Sequence, residues 1–264
     1  MNDLFKQSLA VLMAAGLTTI AAGAATAQTA PPAACADDLR HNATREQAEF
    51  ADRNGRTIRG LIYRPQTANG AAVVLLHSED GLGVDAPRFD PHAIQLATRG
   101  YHVLVPNYYD ARPGRARKTG LDISTWSDVA ADAVSHVGTL PGVDAQRVGL
   151  WGYSLGGFLA TDGSMNDRAT ARVAVGVATG TAVWQPLRGR RAMPMLMIHG
   201  RSDPDVPAAT MRDLASSMRL RGATVDVALI DSSQHFMEGP IWCEVFQHTR
   251  RFLDAHLLPA VPAA

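Results

Sequence analysis

Gly152-Tyr153-Ser154-Leu155-Gly156-Gly157 sets a serine between two glycines at G-x-S-x-G spacing. It follows the short apolar run Arg147–Gly152 and opens a helical segment, so the context predicts a strand, a cramped turn and a helix. The chemistry such a turn permits is nucleophilic catalysis. A serine hydroxyl is a weak nucleophile at its free pKa and needs a base beside it. Glycine at 152 and 156 removes side chains that would collide with strand and helix. The helix N-terminus then aims backbone N–H groups and the positive end of its dipole at the reacting centre. By chance this spacing turns up somewhere in many chains; between a buried strand and a helix it is rare.

A base and an acid are available in the chain order Ser, acid, His that this turn expects. Asp203 follows the run Pro194–His199, and His235 follows the run Thr224–Ile230. Taken singly, Asp203 reads as a loop or helix-capping carboxylate and His235 as a solvated histidine. Position and order together give them roles: His235 takes the Ser154 proton and Asp203 orients the imidazole. Asp205 is the nearest rival acid. An oxyanion needs two N–H donors, expected from Leu155 and from Glu79 in the loop after the first central strand, with Ser78 as the alternative. His77 and His199 end buried strands and read as loop buttresses. No His/Cys/Asp spacing resembles a zinc site and no Gly-rich loop resembles a nucleotide cradle, so neither metal nor cofactor is expected.

The elements that must carry these residues are legible as alternating patterns. Ala71–His77 is a near-continuous apolar run, the mark of a strand buried on both faces. His102–Pro106, Arg147–Gly152, Arg172–Thr179, Pro194–His199 and Thr224–Ile230 are further short runs. Ile58–Tyr63 and Glu49–Asp52 suggest an opening hairpin at Asn54-Gly55. Trp126, Val129, Ala130, Ala133, Val134 and Val137 share one helical face, as do Met211, Leu214, Ala215 and Met218, and Trp242, Val245, Phe246, Phe252 and Leu253. Strands alternating with helices imply βαβ crossovers and a mostly parallel sheet with helices on both faces. In such a sheet the residues just beyond the strands' carboxyl ends form the functional rim.

Residues 1–27 read as a secretory signal peptide: Lys6, an apolar run from Leu9 to Ala25, and Ala25-Thr26-Ala27 as cleavage site. Residues 28–48 read as an extended Ala/Pro/Thr-rich arm and 49–264 as one catalytic domain. The expected location is periplasmic or secreted, without stable membrane insertion after cleavage. Pro31-Pro32-Ala33-Ala34 before Cys35 argues against a lipidation site. In an oxidising compartment Cys35 and Cys243 pair, the alternative being two unpaired thiols. Lys+Arg and Asp+Glu balance at 25 each and 46% of the 264 residues are hydrophobic. That balance argues against nucleic-acid binding and against disorder.

The stretches LLHSEDGLG, RGYHVLVPNYYDAR, VGLWGYSLGGFLA, MLMIHGRSDPDVP and SSQHFMEG together resemble the dienelactone hydrolase family of α/β-hydrolases, over most of Ile58–Leu257. The resemblance implies an eight-stranded sheet, a triad acting on esters or lactones, and no cofactor. Two departures stand out. The family's namesakes carry a cysteine nucleophile held by a nearby Glu; here Ser154 is the nucleophile and Ser78 takes that Glu's place. The namesakes also hold a substrate carboxylate with two arginines, of which Arg112 matches the first and Gly239 occupies the second. The reading is an exported serine hydrolase of small carboxylic esters or lactones. A serine peptidase and a non-catalytic binding protein on the same fold are the alternatives. Arg112, Tyr109, Trp184 and Phe236 are the candidate substrate-binding residues, with Arg115, Arg117 and Lys118 on the same loop as Arg112. Oligomeric state is not legible.

Overall fold

The computed structural model describes residues 43–114, 118–166, 168–181 and 189–259, all within one compact unit. Its centre is β3 (Gly70–Leu76). Ala72, Val74 and Leu76 enter one hydrophobic core, while Ala71, Val73 and Leu75 enter a second on the opposite face. Successive side chains of a strand point to opposite faces, so a strand between two cores must be apolar throughout. The remaining strands are β1 (Ala43–Ala51), β2 (Thr57–Pro65), β4 (His102–Pro106), β5 (Val143–Tyr153), β6 (Val173–Val177), β7 (Pro194–Gly200) and β8 (Thr224–Ile230). They form the expected eight-stranded sheet, in the order β1-β2-β4-β3-β5-β6-β7-β8. β1, β2 and β4 pair antiparallel; β4, β3 and β5 to β8 pair parallel.

Among the described residues five α-helices cover the sheet: α1 (Leu82–Thr98), α2 (Gly120–Val137), α3 (Leu155–Gly163), α4 (Ala208–Leu220) and α5 (Pro240–Leu257). α2, α3 and α4 close one core around Trp126, Phe158 and Met211; α1 and α5 close the other around Phe89, Phe246 and Leu253. α1 carries Pro87 and Pro91 inside it, each removing a backbone N–H donor from the helix.

The opening hairpin is present, and its turn is fixed by Asp52, whose Oδ1 accepts the N–H groups of Asn54 and Arg56 at 2.9 Å each. β1 begins at Ala43, inside the stretch read as an extended arm. It is an edge strand with mostly exposed side chains, so it lacks the apolar alternation that marks a half-buried strand.

One core residue is out of character. His92 of α1 is wholly buried among Trp151, Trp242 and Phe246. Neither ring nitrogen has a hydrogen-bond partner among the described residues. Burial pushes its pKa down to about 3, and that of buried His77 down to about 4. Such a histidine takes a proton more readily unfolded than folded. Its share of stability is therefore complete above the ordinary histidine value and is lost as pH falls below it. His92→Phe keeps the aromatic packing and removes the proton. Between pH 6 and pH 4 it is expected to flatten the dependence of unfolding free energy on pH by roughly 1.4 kcal/mol per unit, measured by urea denaturation. An unchanged slope would contradict the assignment.

Candidate active site

β5 ends at Tyr153 and α3 starts at Leu155, which leaves Ser154 alone in the turn with φ 51° and ψ −114°. A non-glycine residue there is strained by about 1–3 kcal/mol. The strain is held by backbone hydrogen bonds on both sides, Ser154 N–H to Val177 O at 2.8 Å and Phe158 N–H to Ser154 O at 3.0 Å. The glycines are required by contact. A Cβ on Gly152 would lie 2.0 Å from Gly156 O, and one on Gly156 would lie 2.3 Å from the carbonyl oxygens of both Leu76 and His77.

Asp203 and His235 come from the loops after β7 and β8. His235 Nδ1 lies 2.8 Å from Asp203 Oδ2, and His235 Nε2 lies 3.0 Å from Ser154 Oγ. A carboxylate only accepts, so Nδ1 carries the proton and the Nε2 lone pair faces the serine hydroxyl. Asp203 Oδ1 accepts the N–H groups of Asp205 and Val206. Burial pushes the Asp203 carboxyl up, but the His235 hydrogen bond and those N–H groups outweigh it and hold the pKa below the ordinary value. Asp205, the rival acid, is exposed and meets Asp203 only through its backbone. Buried His199 donates from Nε2 to Val206 O at 2.8 Å and pins the turn that carries Asp203. Burial lowers its pKa, so it is neutral. The buttress role expected of His199 fits this contact.

The loop Ser78–Gly81 has almost every polar group committed. Ser78 N–H donates to Asp85 Oδ2 at 2.6 Å, Asp80 N–H to Ser78 Oγ and Gly81 N–H to Ser78 O. Tyr108 Oη donates to the His77 and Ser78 carbonyls, and Tyr109 Oη to the Glu79 carbonyl. Among the described residues, Glu79 N–H is the loop's one backbone donor with no partner. Leu155 N–H, at the first position of α3, has none within its helix. Of the two candidate donors, the Ser78 N–H is thus already committed to Asp85.

The substrate-binding candidates fare unevenly. Arg112 Nε is hydrogen-bonded to Asp122, a buried carboxylate that also caps α2 through Thr119. Hydrogen bonds from Arg112 and Thr119 push the Asp122 pKa down to about 2, so the Arg112 charge is already met. Tyr109 is spent on the Glu79 carbonyl and packs against His77, Tyr108 and Trp126. Arg112 is thus engaged by the helix beside it and the Tyr109 hydroxyl by the loop after β3. Phe236 stays half-buried and stacks on Tyr153, ring centroids 5.1 Å apart. Trp184, Arg115, Arg117 and Cys35 lie outside the described residues, as do residues 1–42. Cys243 lies in α5, and no free cysteine is found among the described residues.

Three contributors escape a motif reading. Asp85, fully buried, accepts from Ser78 N–H and from Arg88. Arg88 also pairs with Asp80 and lies 4.1 Å over the Phe236 ring. Tyr153 Oη donates to His235 O at 2.6 Å and accepts Met237 N–H at 2.9 Å. The one available signal was a carboxylate in the first turn of a helix directly after the loop.

A mostly parallel sheet of this order with a strained serine between β5 and α3 defines an α/β-hydrolase. Residues 58–238 match the dienelactone hydrolase family, and the chain belongs to it. A dienelactone hydrolase of Anabaena variabilis superposes with TM-score 0.65 at 19% identity, over 83% of this chain and 100% of that one. A thermophilic esterase of Thermogutta terrifontis gives TM-score 0.62 at 18% identity, over 83% and 95%. Those likenesses are of fold. In sequence, a polyketide transferase of Stachybotrys chlorohalonatus is 26% identical over 163 residues, 58% of this chain and 51% of that protein. The chain spans about half the length, or less, of the curated relatives it matches. Among the described residues no cluster of metal-ligating side chains and no helix long and apolar enough to cross a membrane is found.

Asp85→Ala leaves the Ser78 N–H and the Arg88 guanidinium without their buried acceptor. It is expected to lower unfolding free energy by about 2–4 kcal/mol, while Asp85→Asn, whose amide oxygen still accepts from Ser78, loses less. Equal losses in urea titrations would show that the Ser78 hydrogen bond contributes nothing.

Proposed function

We propose that this protein is a serine hydrolase of carboxylic esters or lactones that works through an acyl-enzyme. The observation that carries the reading is the unbroken chain Asp203–His235–Ser154, with contacts of 2.8 and 3.0 Å. His235 Nε2 takes the hydroxyl proton as Ser154 Oγ attacks the substrate carbonyl carbon, and Asp203 stabilises the resulting imidazolium. The N–H groups of Leu155 and Glu79 receive the developing oxyanion. Collapse of the tetrahedral intermediate expels the alcohol oxygen, which takes the proton from His235. Water then repeats the sequence on the acyl-enzyme, releasing the acid and restoring Ser154.

Export to the periplasm or medium with loss of residues 1–27, and a bond between Cys35 and Cys243, belong to the same proposal. The absence of a free cysteine among the described residues supports the bond.

A fluorophosphonate is expected to add once, at Ser154, and Ser154→Ala to abolish both labelling and hydrolysis of p-nitrophenyl esters. Asp203→Asn is expected to lower kcat by about 10³–10⁴, whereas Asp205→Asn changes it little. Labelling at another residue, or equal losses for the two aspartates in folded protein, would refute the assignment.

A further inference from the structure

Beside the His235 loop lies a pocket of about 210 Å³ lined by Arg88, Phe89, Phe236, Met237, Glu238 and Trp242. Three of its walls are the residues that directly follow His235. Tyr153 fixes that loop through the His235 carbonyl and the Met237 N–H, and its ring backs Phe236. Phe89 stacks on Trp242 at 6.1 Å with 17° between the ring planes, so the aromatic walls are held in place by one another. In size, an apolar cavity of roughly 150 Å³ already suffices for a benzene-sized guest.

The charge at the pocket points to a neutral guest. Arg88 is paired with Asp80 and Asp85, and its guanidinium lies over the outer wall, Phe236. Glu238 adds an exposed carboxylate at the rim, which repels an anionic group. Elsewhere on the same edge of the sheet, the Arg112 charge is met by Asp122. Position selects which half of the substrate enters. His235 hands its proton to the leaving oxygen, and the Phe236 wall of the pocket meets the His235 ring edge to face at 5.3 Å, so the pocket adjoins the side on which the alcohol leaves.

We infer that this pocket receives the alcohol portion of the substrate, and that this alcohol is uncharged and carries an aromatic ring, as a benzyl or phenethyl ester does. Aromatic guests gain from offset or edge-on contact with Phe236 and Trp242 beyond the area they bury. The inference rests on the ester-hydrolase reading above and adds a substrate class to it.

The test compares kcat/KM for methyl, benzyl and 4-carboxybenzyl acetate, with methyl benzoate as the acyl-side comparison. Benzyl acetate is expected to exceed methyl acetate by about tenfold or more, and 4-carboxybenzyl acetate to fall well below benzyl acetate. Trp242→Ala is expected to cut the benzyl-to-methyl ratio about tenfold while leaving the benzoate-to-acetate ratio of the methyl esters in place. Should that variant fail to fold, Phe89→Leu and competitive inhibition of the wild type by free benzyl alcohol read the same pocket. A benzyl-to-methyl ratio near one, a ratio unmoved by the variants, no inhibition by benzyl alcohol, or a change in acyl preference instead would overturn the inference. Those results count against the pocket alone when methyl acetate is turned over and Ser154 is labelled by a fluorophosphonate. No labelling and no turnover of any ester would overturn the hydrolase reading and this inference with it.

Discussion

Everything at this site depends on how closely two stretches of backbone approach where α3 begins. Gly156 lies against the carbonyls of Leu76 and His77, and Gly152 against Gly156 itself, at distances no side chain tolerates. That approach holds Ser154 in its positive-φ turn. It also ties the start of α3 to the end of β3, so the N–H of Leu155 and the loop bearing Glu79 are built on the same join. The strain in the serine is the cost of placing its hydroxyl and the neighbouring N–H groups on one rigid base.

Around that join, most polar groups hold loops in place and few are left to meet a ligand. His77, Tyr108, Tyr109 and Asp85 all bond to the short loop after β3. The outcome is a loop in which the Glu79 N–H is spared. On the other side His199 and two backbone N–H groups immobilise the Asp203 turn. Aromatic residues expected to face substrate are in part consumed by this work, as Tyr109 shows.

The parts of the molecule readable in sequence are those governed by local rules. Runs such as Ala71–His77 and Pro194–His199 declared buried parallel strands because both their faces must be apolar. The G-x-S-x-G turn and the chain order of Asp203 and His235 pointed to residues that the fold does bring within hydrogen-bond reach. What stayed hidden depends on contacts between distant segments. β1 was masked because an edge strand needs little apolar alternation. The partner of Arg112 is Asp122, ten residues away on a helix whose cap it completes, and loop charge alone could not reveal that pairing. Glu79 and Ser78 are adjacent in sequence and differ only in that Asp85 occupies one N–H.

Tyr153 has a consequence that reaches past packing. It immediately precedes Ser154, yet its hydroxyl grips the loop that carries His235, at the His235 carbonyl and the Met237 amide. The strand that ends beside Ser154 is therefore the anchor of the His235 loop. One phenol ring thus ties the backbone beside Ser154 to the backbone of His235, and the 3.0 Å between serine hydroxyl and imidazole is framed by contacts inside the site itself.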